Sequence, residues 1–179
     1  MKTLLFIFQP GRLCCLVGKL HQQACRNILF LRNRKNIAHS SAKEIGYLHA
    51  LWNNHIQFNE KWLIPIDKEM GTSTYEALNE LILRGFPFDA VYCNTDVAAM
   101  GAMHALTEHH IKVPEQIKVL GYTNSSESRH YFPPISTVDM QTENMISSAA
   151  DMILQLIHGK TLQEKNLLLP IEIIQRETT

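Results

Sequence analysis

From about residue 11 the apolar positions of this chain switch back and forth between helical and extended spacing. Leu13, Leu16, Val17 and Leu20 recur at three and four residues, the period of one helix face. Ile28-Leu29-Phe30-Leu31 is a short unbroken apolar run, which predicts a strand buried on both faces of a parallel sheet. Ile45, Leu48 and Leu51, with Tyr47 and Trp52, predict a second helix. Trp62-Leu63-Ile64-Pro65-Ile66 reads as a strand, and the missing N–H of Pro65 puts it at an edge or a strand end. Ser73-Thr74-Tyr75-Glu76 fits a capping box, followed by an apolar stripe of Tyr75, Leu78, Leu81 and Ile82 and a left-handed stop at Gly85. Asp89 to Cys93 predicts a strand, Asp96 an N-cap, and Val97 to His109 the helix behind it. Ile117 to Gly121 is the next strand. Pro133-Pro134 interrupts the chain before a short strand at Ile135 to Val138. Met145, Ala149, Met152, Ile153 and Leu156 continue one helical face that ends at Gly159, and Leu167 to Ile174 is extended. Strand–helix alternation with short loops predicts an α/β fold: a parallel sheet, right-handed crossovers and helices on both faces.

Composition narrows the picture. The 179 residues are 45% apolar, enough for a real core. Lys plus Arg and Asp plus Glu both number 17, so the net charge is zero and a globally basic nucleic-acid binder is not expected. The charge is uneven, however. Residues 1–43 hold Lys2, Arg12, Lys19, Arg26, Arg32, Arg34, Lys35 and Lys43 and no acid. These are read as one helix face and the loop after a strand. The opening run Thr3 to Phe8 is stopped by Gln9-Pro10, and no small-residue cleavage site follows, so no secretory signal is expected. No stretch reaches the roughly 18 apolar residues of a membrane span. Cys14, Cys15, Cys25 and Cys93 form no CxxC pair and read as reduced, buried thiols of a cytoplasmic protein.

Open parallel sheets bind ligands beyond the carboxyl ends of their strands. Two such ends are Cys93-Asn94-Thr95-Asp96 and Gly121-Tyr122-Thr123-Asn124-Ser125-Ser126-Glu127-Ser128. On neighbouring strands these loops would lie side by side, offering amide, hydroxyl and carboxylate groups to a polyhydroxylated molecule. Asp96 can cap its helix, contact a ligand, or do both. Nucleotide, nucleophile-elbow and zincin motifs are absent. Adjacent His109 and His110 fall on different sides of a helix, and Asp139 and Glu143 suit a helix N-terminus. Neither an enzyme nor a metal or cofactor is expected.

Several segments together resemble the effector domains of LacI/GalR-type transcriptional regulators. The first is Phe88 to Ala102, containing Cys93-Asn94-Thr95-Asp96-Val97-Ala98-Ala99-Met100-Gly101. Val113-Pro114-Glu115 then leads to Val119-Leu120-Gly121-Tyr122, Pro133-Pro134-Ile135-Ser136-Thr137-Val138 follows, and Leu169-Pro170 through Thr178 resembles the closing strand. The resemblance covers about residues 17–178. It implies a type I periplasmic-binding-protein-like fold of two α/β lobes around a ligand cleft. One lobe would be complete, at 33–138 and 165–176, and the other would survive as remnants at 11–32 and 139–160, with no helix-turn-helix, as in a truncated regulator. It also implies a sugar-like small-molecule effector held by Lys43, Glu69, Thr95, Asp96 and Thr123. A homodimer would form through Val97, Met100 and Tyr131, and operator DNA would be bound only by a full-length relative. Lys43 stands where the family commonly has arginine, Thr123 where it often has aspartate, and Thr95 where asparagine occurs in sugar binders. The competing expectation is a stand-alone sugar-binding module of the solute-binding type. No membrane partner is expected.

Overall fold

A computed structural model describes residues 5–6, 18, 20, 23–34, 38–67, 70–162, 166–167 and 169–179. Its centre is a four-stranded parallel sheet of β2 (Ile28–Asn33), β3 (Leu63–Ile66), β4 (Ala90–Cys93) and β5 (Lys118–Leu120). The spatial order is β3-β2-β4-β5, with Leu31 opposite both Ile64 and Cys93. Pro65 therefore lies in an edge strand, where its missing donor removes nothing from the ladder. β2 and β4 are buried along almost their whole length, as unbroken apolar runs in a covered parallel sheet must be.

The connections place the helices. β2 leads through α1 (Ala38–Asn53) outward to β3, and the chain then crosses back through α2 (Met70–Leu83) to β4 and on through α3 (Asp96–Glu108) to β5. Right-handed crossovers running in opposite directions must lie on opposite faces, so α1 covers one face and α2 with α3 the other. Phe30 confirms the first assignment by stacking on Tyr47 of α1 at 5.3 Å and meeting Tyr92 on the same face at 5.1 Å. On the other face α2 and α3 approach so closely at Gly71 and Gly101 that a methyl group on Gly101 would overlap the Gly71 carbonyl. Gly85 ends the α2 segment at φ +64°, in the left-handed conformation its position predicts.

The outer side of β5 is closed by later parts of the chain. Ser136 bridges Leu120 in parallel, and β6 (Thr137–Asp139) pairs antiparallel with β8 (Glu172–Ile174). Thr178, fully buried, accepts the Val119 amide on its carbonyl and donates its hydroxyl to the Val119 carbonyl. A short helix α4 (Ser126–His130) precedes β6, and α5 (Thr142–Ile157) follows it. A separate parallel pair joins β1 (Leu5–Phe6) to β7 (Asn166–Leu167).

Four expectations change. The capping box at Ser73 does not start a helix: α2 already begins at Met70, and Ser73 Oγ lies inside its first turn, donating to the Asp67 carbonyl at 3.4 Å. Trp62 belongs to a 3-10 turn, not to β3. A lobe boundary between residues 32 and 33 would cut β2, which sits wholly inside the sheet between β3 and β4, so no boundary falls there. The loop from Gly121 to Ser128 contains the start of α4, whose N-cap Ser125 accepts from the Ser128 amide at 3.2 Å. Most of the expected helix around Leu13 to Leu20 lies outside the described residues, although Gly18 and Leu20 are helical and Leu20 is buried.

Candidate functional site

In this strand order the connections of adjacent β2 and β4 leave toward opposite faces. That is a topological switch point, the place where open parallel sheets form a binding crevice, at the carboxyl ends of those two strands. Two side chains meet across it. Lys43, in the second turn of α1, donates from Nζ to the carbonyl of Asn94, just past β4, at 2.7 Å. The same ammonium lies 3.6 Å from the centroid of the Tyr122 ring, a cation–π contact from the segment after β5. The loops singled out in the sequence, Asn94–Asp96 and Tyr122–Ser125, do meet at one rim.

Asp96 ties the rim together. Its Oδ1 accepts from the Thr137 hydroxyl at 2.5 Å, and its Oδ2 from the Ser125 amide at 2.7 Å and the Thr123 hydroxyl at 3.2 Å. Gly121 lets the carboxylate approach, since a Cβ there would collide with Oδ1. The cap of α3 is Thr95, whose Oγ1 accepts from the Ala98 amide at 3.1 Å. The sequence left Asp96 as helix cap, ligand contact or both, and placed Thr95 among the ligand contacts. The structure reverses the capping role, and Asp96 serves as a buried cross-link, 1% exposed, between β4, β5 and β6.

The remaining expected site residues separate. Thr123 is at the rim with φ +123°, and Asn124 follows at φ +53°, conformations that cost a non-glycine residue energy and are held here by surrounding bonds. Asn124 donates from Nδ2 to Asp139 and accepts on Oδ1 from Arg176, while Asp139 takes the Gln141 amide at 2.7 Å. These groups border a polar concavity of about 470 Å³ lined by Thr123, Asn124, Arg129, Asp139, Gln141 and Glu143, among others. Glu69 lies outside the described residues. Val97, Met100 and Tyr131 gather elsewhere, beside a hollow of about 470 Å³ shared with Tyr75, Gly101 and His104. Val97 is half exposed and neighbouring Phe132 almost fully so. A larger, mainly apolar hollow of about 540 Å³, bordered by Trp52 and Phe58, lies at the far end of α1 from Lys43 and takes no part in the rim.

Electrostatics single out Lys43. Burial pushes its pKa down from 10.5 to about 8, and the attraction of Asp96 only partly opposes this. Burial also lifts Tyr122 to about 12 and raises the Cys93 thiol, with Asp96 adding to the latter. Arg176 is lowered by burial and by Arg129. Among the described residues no cluster of three or more His, Cys, Asp or Glu could hold a metal ion, and no helix is long and apolar enough to cross a membrane.

Reasoning on sequence placed Asn94 and Tyr122 in the two rim loops without naming either as a site residue, and it missed Arg176. Asn94 could have been found, because a polar residue directly after the buried run Ala90 to Cys93 has to sit at the strand's carboxyl end. Arg176 could not, since its role depends on the closing segment returning past β6.

The periplasmic binding protein-like domain family matches residues 17–179. The chain is 30% identical over 161 residues to the HTH-type transcriptional regulator RegA of Clostridium saccharobutylicum, covering 89% of this chain and 48% of that protein. It is 31% identical over 136 residues to the HTH-type transcriptional repressor PurR of Erwinia tasmaniensis, covering 76% and 40%. The chain thus spans about half the length, or less, of the curated relatives it matches. Among solved structures, the Escherichia coli transcriptional repressor ascG superposes with a TM-score of 0.86 at 25% identity, over 95% of this chain and 61% of that one. The lac repressor dimer bound to operator and the anti-inducer ONPF superposes with a TM-score of 0.85 at 26% identity, over 97% and 60%.

Proposed function

Since this chain belongs to the periplasmic binding protein-like domain family, in the group formed by LacI-type transcriptional regulators, we propose that it is the effector-sensing part of such a regulator. The observation that carries the reading is the switch point itself, where Lys43, Asn94, Thr95, Tyr122 and Thr123 converge from three elements. A small polar metabolite binds there, with Thr123 and Thr95 at the open rim and Lys43 and Asn94 at the floor. Asp96 positions this set without contacting the ligand, because three protein donors already engage its oxygens. Ligand binding regulates only through a difference in affinity between two conformations of the regulator.

Two further parts of the reading follow. The face around Val97, Met100 and Tyr131 pairs with a second copy, which suits half-exposed Val97 and exposed Phe132 on a surface otherwise formed by the tightly joined α2 and α3. Operator DNA is bound in the cytoplasm by a protein that carries a helix-turn-helix, not by residues 1–179 alone.

Titration calorimetry of the chain against neutral sugars, sugar acids and nucleobases tests the site. Saturable heat with one chemical class, reduced tenfold or more by Thr123→Trp, is expected. The absence of heat with every class would sink the reading. Sedimentation equilibrium tests the pairing face: Val97→Glu should shift the chain toward monomer. A sequence-specific gel shift by the 179-residue chain would contradict the DNA assignment.

A further inference from the structure

Among the described residues, two polar groups at the floor of the crevice lack the partners their burial calls for. Lys43 is 7% exposed, yet among the described residues its hydrogen bond to the Asn94 carbonyl uses one of three ammonium donors, and the Tyr122 ring packs against the same ammonium. No carboxylate among the described residues bonds it. The nearby one, Asp96, is committed to Thr123, Ser125 and Thr137. The second group is Asn94 Oδ1, on a side chain 4% exposed, which accepts no hydrogen bond from the described residues. Buried polar atoms are nearly always satisfied, and an unpaired one costs free energy until something pairs it. Because Lys43 already holds the Asn94 backbone, the cation and the empty acceptor stand within the span of one small molecule. One asks for an anionic acceptor and the other for a donor.

We infer that the crevice takes a small α-hydroxy carboxylate of the sugar-acid type, its carboxylate on Lys43 Nζ and its neighbouring hydroxyl donating to Asn94 Oδ1. This rests on the effector reading above and narrows it to a ligand class. A neutral sugar satisfies Asn94 but leaves the buried ammonium without an anion. A simple carboxylate satisfies Lys43 but leaves Asn94 Oδ1 unpaired. Arg129 and Arg176, close enough for one to lower the other's proton affinity, add positive potential at the same rim. Both floor groups are shielded in the ligand-free structure, so the acid enters an opened form of the crevice and its apparent affinity is reduced by the rarity of that form. A bound carboxylate favours the charged amine, so affinity is highest below the Lys43 midpoint of about 8 and falls as pH rises through it.

The test is calorimetry of the 179-residue chain with four- to six-carbon aldonic acids beside their parent aldoses, with inorganic phosphate and acetate as anion-only controls. At least one acid should bind tenfold or more tighter than its parent aldose and than either control. Lys43→Met should erase that preference, Lys43→Arg should keep most of it, and Asn94→Leu should weaken the hydroxy acid but not its 2-deoxy counterpart, with circular dichroism confirming each fold. In the wild type, the NMR titration midpoint of the Lys43 ε-carbon should rise when the acid is bound. Equal binding of aldose and acid, a preference that survives Lys43→Met, or an unmoved midpoint would overturn the inference and leave the effector reading standing. Binding of neither series nor of any other small molecule would overturn both.

Discussion

Helices α3 and α5 have similar length and apolar content, and the molecule treats them in opposite ways. α3 buries Asp96, Ala98, Ala99, Gly101, Ala102, Met103, Ala105 and Leu106 against the sheet and α2. α5 buries none of its residues, and Ile146, Ile153, Leu154 and Ile157 stand open, Ile157 being 72% exposed. Both carry the helical period that sequence patterning detects. The difference teaches that periodicity announces a face, whereas only topology decides whether something covers it. α3 lies in a crossover between adjacent strands of one sheet and is covered on arrival. α5 leaves that sheet after β6.

Four measurements would break or sharpen the contrast. The largest effect is expected at the start of α3. Asp96→Ala strands three buried or half-buried donors and should cost about 4 kcal/mol in denaturant unfolding, a magnitude typical of breaking one partner out of a buried charged network. A loss under about 1 kcal/mol would mean Asp96 is not the cross-link described. Next, Leu106→Ala should cost about 3 kcal/mol by leaving a cavity, while Ile157→Ala on α5 should stay within about 0.5 kcal/mol. Similar losses at both sites would erase the distinction.

The third prediction concerns pH. The folded-state pKa of Lys43 is about 8 against an ordinary 10.5, so between those values the unfolded chain binds more protons and stability must rise with pH. The gain should approach about 3 kcal/mol, the equivalent of the shift, and should vanish in Lys43→Met. A wild-type curve parallel to that of the variant over this range would show that Lys43 is not desolvated. The smallest effect on stability is expected from Ile146→Ser, Ile153→Ser and Ile157→Ser together, within about 1 kcal/mol. Their effect on association should be visible, as light scattering at high concentration drops once the apolar face is broken. Unchanged scattering would show that the face is not adhesive.

Much of the central sheet was legible in the sequence, because Ile28 to Leu31 and Ala90 to Cys93 are unbroken apolar runs and Gly85 and Pro65 mark a stop and an edge. The two rim loops were legible for the same reason: they directly follow strands of recognisable type. Element starts were less so. Ser73 looks like a cap, yet helical geometry begins at Met70, since side-chain propensity yields to tertiary packing such as the Gly71–Gly101 contact. The roles within the site were hidden for a physical reason. Whether Asp96 faces a ligand or three protein donors depends on Thr137, which is 41 residues away, and no local pattern carries that information. Lys43 was found through a resemblance, but its pairing with Asn94 and Tyr122 needed the fold.

The seam beside β5 bears on how the protein is made. Thr178 and Arg176 meet Val119, Ser136 and Asn124 only after the later of these partners, 40 or more residues further along, has left the ribosome. Until then the outer strand lacks its flank and the strained Thr123–Asn124 turn lacks its clamp. The rim is therefore completed later than the pairing of β2 to β4, whose strands precede it in the chain.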